Sequence, residues 1–487
     1  MNYLLAYDFG TGGIKASLYD EKGACVADGF DSYPTYYPAP GFHEQEPEAW
    51  WQATQSSTHK LLATLSEEVK QQIVGIGISG HSLGVVPLDK SGTLLRARTP
   101  IWSDARAGEQ AKRVFQSVSE VEWYRMTGNG FPAALYSAFK LMWFQEYEPE
   151  MFQQIACVLG TKDYINYKLT GICATDPSYA SGSGVYDLQT RTYSQRLVAA
   201  TGLPADIFAP IVPSTQVLGT LTSVAAQALG LPQTVKVVAG GVDNSCMSLG
   251  AGAFRDGRAY NSLGSSSWIA VSSSKPLLDD VKRPYVFDHV VPGQYVSALA
   301  IFSAGTAFNW VKGLMAKELS YKEIDAESAT SPVGANGVLF IPTLSGPKGR
   351  GGFVGLELRH TRADLLRATQ EGIALGLRNV LTELKKLTEV KEPLILVGGG
   401  ANAAFARQLT ADVYHVEVQR SSIGQQCAAL GAAVLAGIGT GVWKDFAIMD
   451  TLVRPAEHHQ PDSVVAQQYD AIFKQFLMAT KNIEDLG

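Results

Sequence analysis

This chain has little charge of one sign, few cysteines and no long apolar run, and each shortage removes a class of function. Its 40 Lys and Arg face 46 Asp and Glu, for a formal net charge of −6 over 487 residues. The Arg residues are scattered rather than clustered, so no nucleic-acid surface is expected. Only five Cys occur. They stand at 25, 157, 173, 246 and 427, without CxxC or other metal-ligand spacing, and their odd number argues against a disulfide framework. Cys246 reads as a small buried thiol. No stretch is apolar enough to span a membrane. Neither a basic segment nor a long apolar run precedes Asp8, so a signal peptide is not expected and a cytoplasmic location is. The length suits two or three domains with ample buried core.

What is present begins at the first hairpin pattern, Tyr3-Leu-Leu-Ala-Tyr-Asp8-Phe-Gly10-Thr11-Gly12-Gly13-Ile-Lys15. Leu5 and Tyr7 precede the Gly turn, and Ile14, Ala16 and Leu18 alternate after it, which is the period of a strand. A turn of this kind points backbone N–H groups outward, as phosphate oxygens require, and Lys15 adds positive charge. Asp8 is placed to hold a metal ion beside such phosphates. A Walker loop is excluded because Lys15 is followed by Ala16 on a strand rather than by Ser or Thr opening a helix. A dinucleotide fingerprint is excluded because Lys15 occupies its third Gly. An ordinary Gly-turn hairpin fits this segment equally well when it is taken alone.

The same device returns in the second half as Arg258-Ala-Tyr-Asn261-Ser262-Leu263-Gly264-Ser265-Ser266-Ser267. Two further apolar strands end in glycines before helical sequence, at Gly240-Gly241-Val242-Asp243-Asn244 and at Gly398-Gly399-Gly400-Ala401-Asn402. Ligands of open α/β sheets collect at the carboxyl ends of strands. Four such ends, two in each half, predict two related domains facing one cleft. Pro47 with Trp50, Trp51, Leu61 and Leu62 predicts one amphipathic helix. Thr361 and Asp364 predict the capped start of a long one. Pro455 and His458-His459 read as a surface loop, with the His pair solvated rather than metal-binding.

These motifs resemble the FGGY family of carbohydrate kinases, in the actin-like ATPase superfamily, and look most like its xylulokinase branch. The resemblance covers about residues 3–440. It rests also on Glu44-Gln45-Glu46-Pro47, Trp102-Ser103-Asp104-Ala105-Arg106, Thr127-Gly128-Asn129, Lys140-Leu-Met-Trp143, Lys162-Asp163-Tyr164 and Ala429-Leu430-Gly431-Ala432-Ala433. It implies an α/β protein of two actin-like (ribonuclease H-like) domains, with mixed sheets flanking a nucleotide/sugar cleft. Expected boundaries are 1–245 for sugar and phosphate binding, 246–445 for nucleotide binding, and 446–487 for a helical tail.

The resemblance also implies roles. Asp243 would be the general base that accepts the proton of the attacking hydroxyl, against a plainer role capping the helix that follows. Asp8 would partner Mg²⁺. Gly10, Thr11, Gly12 and Lys15 would cradle the β/γ-phosphates of ATP, joined by Gly264, Ser265 and Ser266. Gly399, Gly400, Ala401 and Asn402 would line the adenosine site. His81, Ser82, Leu83, Trp102, Asp104, Asp243 and Asn244 would meet the sugar, with Arg106 paired to Asp104 as the plainer alternative to a ligand contact. The expected partners are the sugar and ATP, with neither nucleic acid nor membrane, and a homodimer is the assembly to test.

Two departures bear on the substrate. Xylulokinases usually carry Gly-Gln-Met-His-Gly where this chain has Gly80-His81-Ser82-Leu83-Gly84, and Leu83 cannot donate a hydrogen bond to a hydroxyl. The usual Ser-Gly-Glu-Arg-Thr-Pro loop is shortened here to Ser345-Gly-Pro-Lys348-Gly-Arg350-Gly-Gly352, either a lid carrying Lys348 and Arg350 or a solvated basic loop. The expected reaction is ATP-dependent phosphorylation of a ketopentose such as xylulose. Another ketose or polyol (ribulose, L-xylulose, glycerol, erythritol) is the alternative, and an actin-like ATPase or sugar sensor without transfer activity is the alternative of another class.

Overall fold

The structure, a computed structural model, describes residues 1–344 and 349–485. Residues 345–348 of the shortened loop, Lys348 among them, lie outside the described residues. The chain forms two compact units: Met1–Phe254 with Ser272–Ser297 and Gln426–Leu452, and Arg255–Val271 with Ala298–Gln425 and Val453–Gly487.

The first unit is built on a mixed sheet. Its strand order is Val217–Thr220, Lys236–Val238, Ile73–Gly80, Tyr3–Gly10, Gly13–Asp20, Cys25–Ser32. Tyr3–Gly10 lies near the middle, and Leu4, Leu5, Ala6, Tyr7 and Phe9 are all fully buried, as a strand covered on both faces requires. The edge strand Cys25–Ser32 instead alternates half-buried and exposed residues. Gly241–Val242 pairs in parallel with the end of Ile73–Gly80, Gly241 opposite Ser79 and Val242 opposite Gly80. Asp243 therefore follows directly from the carboxyl end of this sheet and opens the helix Asp243–Gly250. The helix Pro47–Leu62 starts at its proline as expected and buries Trp50, Leu61 and Leu62.

The helix Cys427–Thr440 also belongs to this first unit, whereas the expected boundaries ran 246–445 together. The cause is close packing of two helix backbones. A β-carbon at Gly431 would collide with the Cys246 carbonyl, and one at Gly250 with that of Cys427. Cys246 is fully buried in this contact.

The second unit carries a sheet in which Arg258–Leu263 pairs antiparallel with Ser267–Ser273 and parallel with Lys391–Val397. Val418–Ser421 continues it in parallel. The expected surface loop at Pro455–His459 is instead the next strand, antiparallel to Val418–Ser421, with Gln419 opposite His458 and Val418 opposite His459. An open sheet edge supplies pairing that the local sequence does not advertise. The helix Arg362–Leu387 begins with the Thr361–Asp364 capping box and buries Leu366, Leu377, Leu381 and Leu384. The closing helix, Ser463–Asp485, is joined to it by the buried Tyr469, whose hydroxyl donates to Glu371 at 2.8 Å. Among the described residues no helix is long and apolar enough to cross a membrane.

Candidate active site

In the first unit, the turn Thr11-Gly12 joins two antiparallel strands closed by the pair Gly10–Gly13. Its carbonyls are held from behind: Tyr33 Oη donates to the Gly10 carbonyl at 2.5 Å, and Gln45 Nε2 to the Thr11 carbonyl at 2.7 Å. In a trans peptide the N–H points opposite to the C=O. The N–H groups of Thr11 and Gly12 therefore face away from Tyr33 and Gln45, on the exposed side of the turn. Gly12 and Gly13 differ in what they require. A β-carbon at Gly13 would strike the Asp31 carbonyl and the Phe30 ring, whereas one at Gly12 would meet nothing within 4 Å. Packing explains Gly13; at Gly12 the open space is on the outside of the turn.

Asp8 lies near the end of Tyr3–Gly10 and Asp243 just past Gly241–Val242, on two strands that both pair with Ile73–Gly80. Asp8 is opposite Ser79 in the sheet and accepts a 2.8 Å hydrogen bond from its hydroxyl. Burial pushes the Asp8 carboxyl up, against the Ser79 bond and the Lys15 charge. The Asp243 carboxyl is pushed up to about 7, first by burial and then by the negative charge of Asp8. One Asp243 oxygen accepts the Asn244 N–H at 2.7 Å, and no side chain caps this helix from the residue before it. A carboxyl raised by a like charge favours its protonated form, and such a pair invites a cation. Lys15 pairs with Asp28 at 3.5 Å while both side chains are partly exposed. A pair that exposed is weak enough to yield to a phosphate.

The expected sugar contacts divide into exposed and enclosed groups. Trp102 and Ser82 are half-buried, as are Asp243 and Asn244. Trp102 Nε1 donates to the Thr11 hydroxyl at 3.0 Å, so the aromatic and the Gly turn are one assembly. His81 is buried, meeting Trp50 edge-on with ring centroids 5.7 Å apart and Thr161 Oγ1 at 3.1 Å. Burial pushes its ring down to about 4, so it is neutral at physiological pH. Leu83 is buried as well, in the left-handed region with φ 61°. The fully buried Asp104 accepts from Arg106 at 2.9 and 2.8 Å and from the His43 N–H at 2.7 Å. Arg106 continues to Glu44 at 2.7 Å. The Asp104–Arg106 pair is thus formed, and it braces the loop that carries Trp102.

The second unit repeats the turn. The carbonyl of Gly264 accepts the Gly305 N–H, and that of Ser265 accepts the N–H groups of Ala304 and Thr306, all at 3.0 Å. The opening of the helix Gly305–Met315 thereby draws in the turn carbonyls, and the N–H groups of Ser265 and Ser266 face the opposite way. Beside this turn lies a cavity of about 450 Å³, lined by Gly264, Ser265, Gly399 and Gly400 and walled by Phe308, Ile373 and Leu409. That volume suits a small organic ligand. Of the other expected nucleotide residues, Ser266, Ala401 and Asn402 are not among its lining groups. The Ala401 and Asn402 carbonyls accept instead from Arg407 Nη1, each at 2.8 Å.

Sequence reasoning missed several groups here. Asn309, Tyr321, Asp325 and Gln370 supply polar atoms to the cavity wall, and Gln370 Nε2 donates to Asp325 at 2.7 Å. They come from three separate helices, and no local motif marks them. Tyr33 behind the first turn was equally unmarked, while Gln45 lay within a recognised motif without a role. Among the described residues no cluster of three or more His, Cys, Asp or Glu could hold a metal ion.

Two mixed sheets, each with a strand–turn–strand device whose N–H groups turn outward, define a protein of the actin-like ATPase fold. The crystal structure of xylulose kinase from Rhodospirillum rubrum superposes on it with a TM-score of 0.91 at 31% identity, covering 100% of this chain and 99% of that one. The chain belongs to the FGGY family of carbohydrate kinases: the family's N-terminal domain matches residues 3–250 and its C-terminal domain residues 259–440. It is an ATP-dependent sugar kinase. Xylulose kinase of Staphylococcus epidermidis is 31% identical over 496 residues, 99% of this chain and 98% of that protein. The L-xylulose/3-keto-L-gulonate kinase of Escherichia coli is 30% identical over 490 residues, 97% and 96% of the two chains.

Proposed function

We propose that the protein transfers the γ-phosphoryl group of ATP to a hydroxyl of a ketopentose of the xylulose type, with Asp243 as general base. The observation that carries this reading is the Asp243 carboxyl, held at a strand end and pushed up to about 7 by burial and by Asp8. A base with a pKa near the working pH is charged enough to act and basic enough to take a proton. Asp243 accepts the hydroxyl proton as the oxygen attacks phosphorus, the bond to the β-phosphate oxygen breaks, and ADP leaves with that electron pair. Before transfer, Trp102 offers an apolar face to the carbon skeleton, with Asn244 and Ser82 as hydrogen-bonding neighbours.

In the first unit the outward N–H groups of Thr11 and Gly12, with Lys15, serve phosphate; in the second unit those of Ser265 and Ser266 serve the nucleotide. The 450 Å³ cavity takes the adenosine. The half-buried Asp8 carboxylate fits a divalent cation, since oxygen ligands and a few waters satisfy Mg²⁺. Asp8 would hold the ion, which when bound neutralises charge on the phosphates.

A second reading of the substrate has its own support. Leu83 stands where xylulokinases usually carry a sugar-contacting His, and it is buried. Another ketose, such as those named for the E. coli relative, would then be preferred over D-xylulose. A coupled ADP-release screen across pentuloses, hexuloses and polyols tests both. A ketopentose should give the highest kcat/KM. ADP release without any phosphorylated sugar would sink the kinase reading of the site.

A further inference from the structure

Lys140 lies on the helix Ser137–Tyr147 with its side chain fully buried. Its ammonium donates to two main-chain carbonyls, Leu83 at 3.0 Å and Ile101 at 2.7 Å. Those carbonyls belong to the two segments assigned above to the sugar: the Gly80–Gly84 turn and the stretch entering Trp102. Ser137, one helical turn earlier, donates to the next carbonyl of the same turn, Gly84, at 3.3 Å. One face of one helix therefore grips the turn twice and the Trp102 segment once. The grip falls where the backbone is strained, since Leu83 holds φ 61°, a conformation unfavourable for a branched side chain unless its surroundings impose it.

A lysine is an expensive way to fill this space. Burying an ammonium costs far more than burying a Leu or Met of similar length. Burial pushes the Lys140 amine down to about 7, with the Asp104 carboxylate opposing the drop and the Arg106 guanidinium adding to it. Both protonation states keep enough N–H donors for the two carbonyls. Its hydrogen bonds go to backbone rather than to a ligand, so geometry is what it supplies.

We propose that Lys140 is a positioning residue for the acceptor sugar, fixing the Leu83 turn and the Trp102 segment at one spacing and so setting the width of the sugar subsite without touching the sugar. This rests on the reading that these segments hold the sugar. Without the ammonium the two segments separate, Trp102 loses its place, and sugar binding weakens while the ATP contacts of the second unit are unaffected.

The test compares wild type with Lys140→Met in steady-state assays that vary sugar and ATP separately. The sugar is the best substrate of the screen above. The expected result is a sugar KM raised about 10- to 100-fold, the effect of losing two buried hydrogen bonds, with a smaller rise in the ATP KM, at most the roughly 2- to 10-fold that loss of the Trp102–Thr11 bond would cause. Lys140→Ala assayed with added ethylamine should recover part of the lost sugar affinity, which repacking alone would not produce. If Lys140→Met does not fold, Lys140→Gln, which keeps an N–H₂ donor, is judged by the same criteria. A folded variant with wild-type sugar KM overturns the proposal, and so does an equal rise in both KM values. Failure of the wild type to phosphorylate any sugar overturns the underlying reading instead, and the two failures are distinguishable.

Discussion

Trp102 donates its indole N–H to the hydroxyl of Thr11 at 3.0 Å, joining the aromatic proposed for the sugar to the turn proposed for phosphate. The carbonyl of the same Thr11 is held by Gln45 at 2.7 Å. Trp102→Phe keeps the ring and deletes this one bond. It should raise the ATP KM about 2- to 10-fold, the net worth of a hydrogen bond, with a smaller change in sugar KM. Trp102→Ala should raise the sugar KM as well. Separate titrations of the two substrates check the split.

The turn glycines provide a steric test. Gly12→Ala should fold normally, because its new methyl group meets nothing within 4 Å, yet raise the ATP KM by crowding the phosphates. Gly13→Ala should lower the melting temperature, because its methyl group runs into the Asp31 carbonyl. Thermal melts beside ATP titrations read both effects. Equal behaviour of the two variants would count against the phosphate role of the turn.

Activity should fall in acid through the pKa of Asp243. The free enzyme should show an acidic limb in kcat/KM near 7, since the base must be unprotonated to act. Asp8→Asn removes a negative neighbour, so the limb should move to lower pH in whatever activity remains. Asp8→Ala should raise the Mg²⁺ concentration needed for half-maximal rate. An unchanged Mg²⁺ titration would remove the metal assignment.

The same shift has a sign for stability. The Asp243 carboxyl binds its proton more tightly in the folded state, at about 7 against an ordinary carboxyl value of 3.8. Between those values the native state holds the extra proton, so the contribution to stability falls as pH rises through that window. Asp243→Asn lacks this loss. It should melt above wild type at pH 8 and close to it at pH 4, in scans at matched ionic strength.

Much of this was legible in the sequence because it is local. Alternation around Gly10–Gly13 and Leu263–Ser267 marks the two hairpins, and Thr361 with Asp364 marks the capped helix. Asp243 and the turn residues fall where such strand ends place them. Three features escaped because they depend on contacts distant in sequence. Helix Cys427–Thr440 joins the first unit through Gly431 and Gly250, which no periodicity reports. Pro455–His459 is a strand because Val418–Ser421 offers it an edge. Lys140 carries a charge into the core of an apolar helix face, and only its two carbonyl partners explain it.

The central claim is that Asp243 takes the proton of the sugar hydroxyl. Transfer of γ-labelled phosphate from ATP to the best ketose substrate, followed in single turnovers for wild type and Asp243→Asn, tests it most directly. Asparagine matches the carboxyl in shape and cannot accept that proton. With Asp243 as the base, both ligands should bind the variant with nearly wild-type affinity and the transfer rate should fall about 10²- to 10⁴-fold. Transfer by Asp243→Asn at the wild-type rate would contradict it.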